Sequence, residues 1–132
     1  MKNTIYTLPQ DSFVAGQTRE YAWRLFRESG LSFNSYGCTG AFSLLDYSHK
    51  DEDPILVKEI TFIAGDNSIN NVATVTLNPQ DTVELDGKYI YQLSIKDMDG
   101  NVEIPNQGIL YISNNIHKSF VRWKFHKLGG YK

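Results

Sequence analysis

Apolar and polar residues alternate one by one along much of this chain. In the run 21–27, Tyr21, Trp23 and Leu25 share one face, and Ala22, Arg24 and Phe26 share the other. In 72–77, Ala73, Val75 and Leu77 alternate with Thr74 and Thr76. In 89–96, Tyr89, Tyr91, Leu93 and Ile95 oppose Gln92, Ser94 and Lys96. A period of two marks a strand with one buried and one wetted face, the habit of antiparallel sheets. Turn signals interrupt the pattern at Gly16, Gly30, Gly37, Gly40, Gly65-Asp66-Asn67, Asn78-Pro79, Asp86-Gly87, Asp99-Gly100-Asn101 and Pro105-Asn106. Together these predict strands near 3–8, 19–28, 38–48, 56–64, 71–78, 87–97 and 107–113. Helix formers make 17–28 the main window with a helical rival. Seven short strands at this spacing point to a sandwich or small barrel, and an all-β immunoglobulin-like antiparallel β-sandwich is the expected fold.

The stretch 77–91 makes that expectation more specific. A strand ends at Asn78-Pro79, a short crossing follows with Leu85 as its apolar anchor, Asp86-Gly87 turns the chain, and Tyr89 opens an alternating strand. This is the arrangement of a tyrosine corner, in which a phenol oxygen bonds to backbone a few residues upstream while the ring fills the end of the core. Leu85, Asp86, Gly87 and Tyr89 are therefore the expected structural corner. An ordinary turn before an ordinary strand is the plainer reading of the same residues.

Composition bounds the function classes. The 132 residues are 41% hydrophobic and 13% aromatic, enough for one well-filled core. A net charge of −2 argues against a whole-domain nucleic-acid binder. No run of eighteen apolar residues is present, so no membrane-spanning helix is expected. Residues 1–6 lack the apolar core of a signal peptide, and the single Cys38 cannot form an internal disulfide, which fits synthesis in a reducing compartment. Charge is unevenly spread. Residues 1–103 hold eight basic and fifteen acidic side chains, whereas from Ile104 onward there are five basic and no acidic ones. The expected organisation is a sandwich over 1–116 and a basic, aromatic C-terminal arm over 117–132. Phe120, Arg122, Trp123, Lys124 and Phe125 are its expected interface. Phe120, Arg122, Lys124 and His126 alternate with Val121, Trp123 and Phe125, which reads as an amphipathic strand. Such an arm can dock on a neighbouring subunit by opposite charge, fray, or stack on nucleic acid; docking is the expectation, because apolar rings left in water promote association.

Three stretches carry a family resemblance: Phe13-Val14-Ala15-Gly16-Gln17-Thr18; Asp81-Thr82 with Gly87-Lys88-Tyr89-Ile90-Tyr91; and the run from Gln107 to Ile116. They resemble phage and prophage tail proteins, and are similar to the immunoglobulin-like N-terminal domain of phage baseplate upper proteins, over roughly residues 10–116. Gln17 stands where an acidic residue is usual in that family. The resemblance implies a non-enzymatic structural or assembly protein of a tail or baseplate, with itself or other tail proteins as partners, commonly as a homo-oligomer. It implies synthesis in the bacterial cytoplasm and residence in the virion tail, or in the cytoplasm for a cryptic prophage. Baseplate upper proteins continue into further domains, so a free-standing accessory part is a further expectation. The alternative is a carbohydrate- or cell-surface-binding β-sandwich module.

Candidate chemistry is sparse, and no catalytic residue, metal or cofactor is expected. His49, His117 and His126 form no close pair, and one cysteine does not complete a zinc set. Asp97, Asp99, Asn101 and Glu103 loosely match a calcium loop, but Asp99-Gly100 between two strand runs reads as a hairpin turn with positive φ. Asp46, His49, Lys50, Asp51, Glu52 and Asp53 could supply acid–base groups, yet a charged run before Pro54 reads as a solvated loop. Ser29, Ser32 and Ser35 have no nucleophile-elbow setting, and Gly37-Cys38-Thr39-Gly40 lacks the lysine of a phosphate loop. Cys38 reads as a small, at least half-buried apolar residue.

Overall fold

β-branched and aromatic residues at alternate positions build eight strands, seen in a computed structural model that describes residues 10–27, 29–31, 33–49, 52–65 and 69–122. In chain order they are β1 (Gln10–Val14), β2 (Arg19–Arg24), β3 (Thr39–Asp46), β4 (Leu56–Glu59), β5 (Thr61–Ile63), β6 (Val72–Leu77), β7 (Gly87–Lys96) and β8 (Val102–Ser113). Two short helices complete the set: α1 (Pro79–Thr82) before β7 and α2 (Lys118–Arg122) after β8. One sheet runs β1-β8-β7-β3-β4 and the other β2-β6-β5. The two face each other as an all-β, immunoglobulin-like sandwich, and every pairing is antiparallel except β1 with β8.

The core follows from the period-two pattern. Phe42 and Leu44 of β3, Tyr89, Tyr91, Leu93 and Ile95 of β7, and Leu110 and Ile112 of β8 are buried from one sheet. Ala73, Val75 and Leu77 of β6 are buried from the other, with Tyr21 and Trp23 of β2 packed against them. Four rings fill the middle: Phe42 lies 6.3 Å from Tyr21, 5.9 Å from Trp23 and 5.7 Å from Tyr91 between centroids, at shallow angles. Offset stacking of this kind adds to the area these rings bury. Gly108 makes room for it, since a Cβ there would stand 2.2 Å from Cε2 of Tyr91.

The structure revises several boundaries. The strand expected at 3–8 lies outside the described residues. The first described strand is β1, which the alternation did not reveal and which pairs in parallel with β8 from Gln10↔Ile109 to Val14↔Ser113. The strand expected at 56–64 is two strands. Ile60 is buried and donates its N–H to Gly40 O at 2.9 Å, and the chain then leaves the larger sheet for the smaller. The last strand begins at Val102, five residues early, because the Asp99-Gly100 hairpin pairs β7 with β8 almost from the turn. Gly100 takes φ +87 there, a conformation that costs glycine little. The window 17–28 contains a strand, not a helix. The extended reading of the arm is overturned over 118–122, where the backbone is helical. Asn115 Oδ1 accepts the His117 N–H at 2.7 Å, and Phe120 N–H reaches His117 O at 3.0 Å, so a local side-chain cap starts a turn that apolar alternation does not encode.

Candidate interaction surface

The corner residues sit at one end of the sandwich. Asp86 N–H donates to Tyr89 Oη at 3.0 Å, and the Tyr89 ring is buried. Leu85 packs against the core and its N–H bonds Thr82 O at 2.8 Å. α1 occupies the crossing. Asn78 N–H donates to Asp81 Oδ2 at 2.7 Å, and that same oxygen takes Lys58 Nζ at 2.8 Å from β4. Thr82 is wholly buried, and its Oγ1 accepts the Gly16 N–H at 2.9 Å.

The C-terminal segment is tied to the same end. Asn115 Nδ2 donates to Ala15 O at 2.8 Å, and the Val121 side chain lies against Gly16. Glu84 takes Arg122 through Nη2 and stands 3.9 Å from Lys118 Nζ. Arg122 thus folds back on its own domain, whereas Phe120 is 55% exposed and Ile116 97% exposed beside it. Trp123, Lys124 and Phe125, the rest of the expected interface, lie outside the described residues. The structure brings Leu85, Asp86, Gly87 and Tyr89 together and sets Phe120 and Arg122 on the neighbouring helix.

The opposite end is built from the β2–β3 connection and the β7–β8 hairpin. Arg27 N–H bonds Leu31 O at 2.7 Å, Phe33 N–H returns to Leu25 O at 3.1 Å, and the Arg27 guanidinium lies over the Phe33 ring. The Met98 side chain packs where a Cβ on Gly37 would stand, so the two loops abut. Tyr36 is 79% and Met98 72% exposed, and Leu31 and Val102 are also open to water. Sequence reasoning passed over these four, because a residue flanking a turn looks the same whether or not something covers it.

Chemistry at this end is structural. Asp97 Oδ1 accepts the N–H groups of Asp99 and Asn101, both at 2.9 Å, and Oδ2 accepts Asn101 Nδ2 at 3.2 Å. The bond from the Asn101 backbone leads those that hold the Asp97 carboxyl below its ordinary pKa. Lone pairs committed to the turn are not offered to a cation, and among the described residues no group of three His, Cys, Asp or Glu could hold a metal. Burial, then the charges of Asp97 and Glu103, push the Cys38 thiol up, away from a reactive thiolate. In the run from Asp46, Ser48 N–H bonds Asp46 Oδ1 and His49 Nδ1 stands 3.6 Å from Asp46 Oδ2, a loop closure; Lys50 and Asp51 lie outside the described residues.

A third cluster joins the two sheets at their flank. Asp11 Oδ2 on β1 accepts both Arg19 Nη2 and Tyr21 Oη on β2, each at 2.7 Å. Burial raises the Tyr21 pKa to about 12, helped by its hydrogen bond to Asp11 and that residue's charge, and opposed by Arg19. Burial works against the Asp11 carboxylate, but the bonds from Tyr21, the Ser12 backbone and Arg19 outweigh it and hold its pKa down. The arrangement is a latch between sheets.

The exposed large apolar side chains are unevenly placed. Phe26, Leu31, Tyr36, Ile63, Met98 and Val102 lie at the loop end, and Val14, Ile116 and Phe120 at the corner end. Only Ile55, Val57 and Tyr111, among the described residues, lie between.

No family model matches the chain, and no curated protein does. Among solved structures it is similar to CopC from Methylosinus trichosporium OB3b, with a TM-score of 0.44 and 14% identity over 80% of this chain and 85% of that one.

Proposed function

We propose that this chain is a non-enzymatic structural or assembly protein that acts through protein–protein contacts made by its two ends, as a homo-oligomer or with other proteins of a phage or prophage tail or baseplate. The observation that carries the reading is the concentration of exposed apolar side chains at the ends of the sandwich. Large uncovered apolar groups in a soluble fold mark contact surfaces, and their burial is worth about 1.5–3 kcal/mol per side chain. The supports are not loose. Phe120 stands on a helix pinned by Glu84, with Ile116 just before it, and Tyr36 and Met98 stand on two loops that pack on each other. The tail setting, and with it residence in the virion, rests on the resemblance of residues 10–116. The basic arm adds long-range attraction to an otherwise acidic partner surface.

Light scattering over a dilution series tests the reading, with the full chain beside one truncated after Ile116. Dissociation of a concentration-dependent oligomer on truncation, with the fold kept, makes the arm an assembly element. Unchanged oligomeric state and unchanged melting temperature mean that the arm does nothing. A full-length chain monomeric at every concentration, whose truncated form only melts lower, makes the arm part of its own core and removes self-assembly.

A further inference from the structure

The outer face of the larger sheet carries a groove that neither the corner nor the end surfaces use. Across it, Ser43 of β3, Gln92 of β7 and Gln107 of β8 stand opposite one another in register. The next row is Leu45, Ile90 and Ile109. The β3–β4 connection adds a wall of Glu52 and Pro54, enclosing about 360 Å³. That volume falls in the range of small-ligand sites, roughly 300–1,000 Å³.

The polar row is oriented. Gln107 Nε2 donates to Gln92 Oε1 at 2.7 Å, and Gln92 Nε2 donates to Ser94 Oγ at 3.1 Å. This chain of bonds fixes both amides and leaves Gln107 Oε1 as an acceptor and one N–H on each amide as a donor. The Ser43 hydroxyl stands beside them, able to give or take a bond. The floor beneath is aliphatic, from Leu45 and Ile90. A floor of CH groups edged by fixed amides, a hydroxyl and a carboxylate matches a pyranose ring, which has an apolar face and a rim of hydroxyls that both donate and accept. The charge pattern selects against anions. Glu52 is the groove's own ionised group, and Lys88, on the same face, is drawn over the Tyr47 ring at 3.8 Å.

We propose that this groove binds a neutral saccharide, one or two pyranose rings in length, held by Gln92, Gln107, Ser43 and Glu52. The site is separate from the end surfaces, so it stands or falls independently of the assembly reading.

An array of neutral and anionic glycans, followed by calorimetry with the best neutral hit, tests it on the full chain. Gln107→Ala and Ser43→Ala are compared with wild type at equal melting temperature, and Thr76→Ala, at an exposed position of β6 in the other sheet, serves as a variant outside the groove. The proposal expects a neutral hit whose affinity falls about three- to tenfold in each groove variant, the loss of one or two neutral hydrogen bonds, and is unchanged in Thr76→Ala. If Gln107→Ala does not fold, Ser43→Ala alone decides. An array without a neutral hit, a hit that both groove variants retain, or hits confined to anionic glycans and abolished by salt would overturn it.

Discussion

The two ends of the sandwich are made of similar loops and turn residues, yet they hold themselves together differently. At the corner end almost every connection is fastened by a bond that spans the fold: Thr82 to Gly16, Asn115 to Ala15, Lys58 to Asp81 and Glu84 to Arg122. At the loop end the β7–β8 hairpin is closed by local bonds between Asp97 and Asn101 and meets Gly37 through the packing of Met98, whereas the β2–β3 connection is tied across the fold by the N–H groups of Leu25 and Ser35, which donate to Asn71 O at 2.7 Å and Asn70 O at 3.2 Å. Long-range bonds determine where segments sit relative to each other, whereas local ones fix only the shape of each loop. One end is thus a structural keystone that carries Phe120 and Ile116 as passengers, and the other joins an anchored connection to a hairpin fastened only locally, where Tyr36 and Met98 point outward.

The difference can be broken experimentally. The largest effect is expected for Thr82→Val, which keeps the shape but leaves the Gly16 N–H unpaired, at a cost of about 1–3 kcal/mol in chemical denaturation. A loss below half a kilocalorie would mean that the corner end is not fastened through this bond. Tyr89→Phe removes one partner of the Asp86 N–H and should cost about 1 kcal/mol; a mutant that melts with wild type would make the corner an ordinary turn. Above pH 10 the flank latch should fail gradually. The folded Tyr21 pKa, about 12, lies above its ordinary value of 10.0, so its contribution is full below pH 10 and is lost as pH rises through 12. Wild type should therefore lose melting temperature over that window more steeply than Tyr21→Phe, and parallel curves would refute the latch. The smallest effect belongs to the loop end. Tyr36→Ser should change stability by no more than about 0.5 kcal/mol, measured by the same denaturation, while weakening any association that uses this end.

The fold was legible where one residue type recurs at alternate positions. Tyr89, Tyr91, Leu93 and Ile95 identified β7 and its inward face without ambiguity, and Asp86-Gly87 marked the corner. Legibility failed where context outweighs pattern. β1 has Phe13 as its only large inward apolar residue, and its place depends on β8, about a hundred residues later. The break at Ile60 depends on Gly40, a neighbour that only the folded sheet supplies. The helical turn at 118–122 depends on Asn115, whose cap lies outside the alternating run. The groove over Ser43, Gln92 and Gln107 was invisible for the opposite reason: these are the polar outward positions of good strands, and register alone brings them side by side.

The parallel β1–β8 pair gives the domain a mechanical character. β1 enters the sheet at Gln10 and β8 leaves it at Ser113, so the leading end of one strand and the trailing end of the other point in opposite directions. Tension applied between these two points slides the strands along each other instead of peeling them apart. The five residue pairs then bear load together, because evenly spaced parallel bonds share a sliding displacement. A domain pulled through these two points resists as one unit up to a threshold force and then yields all at once.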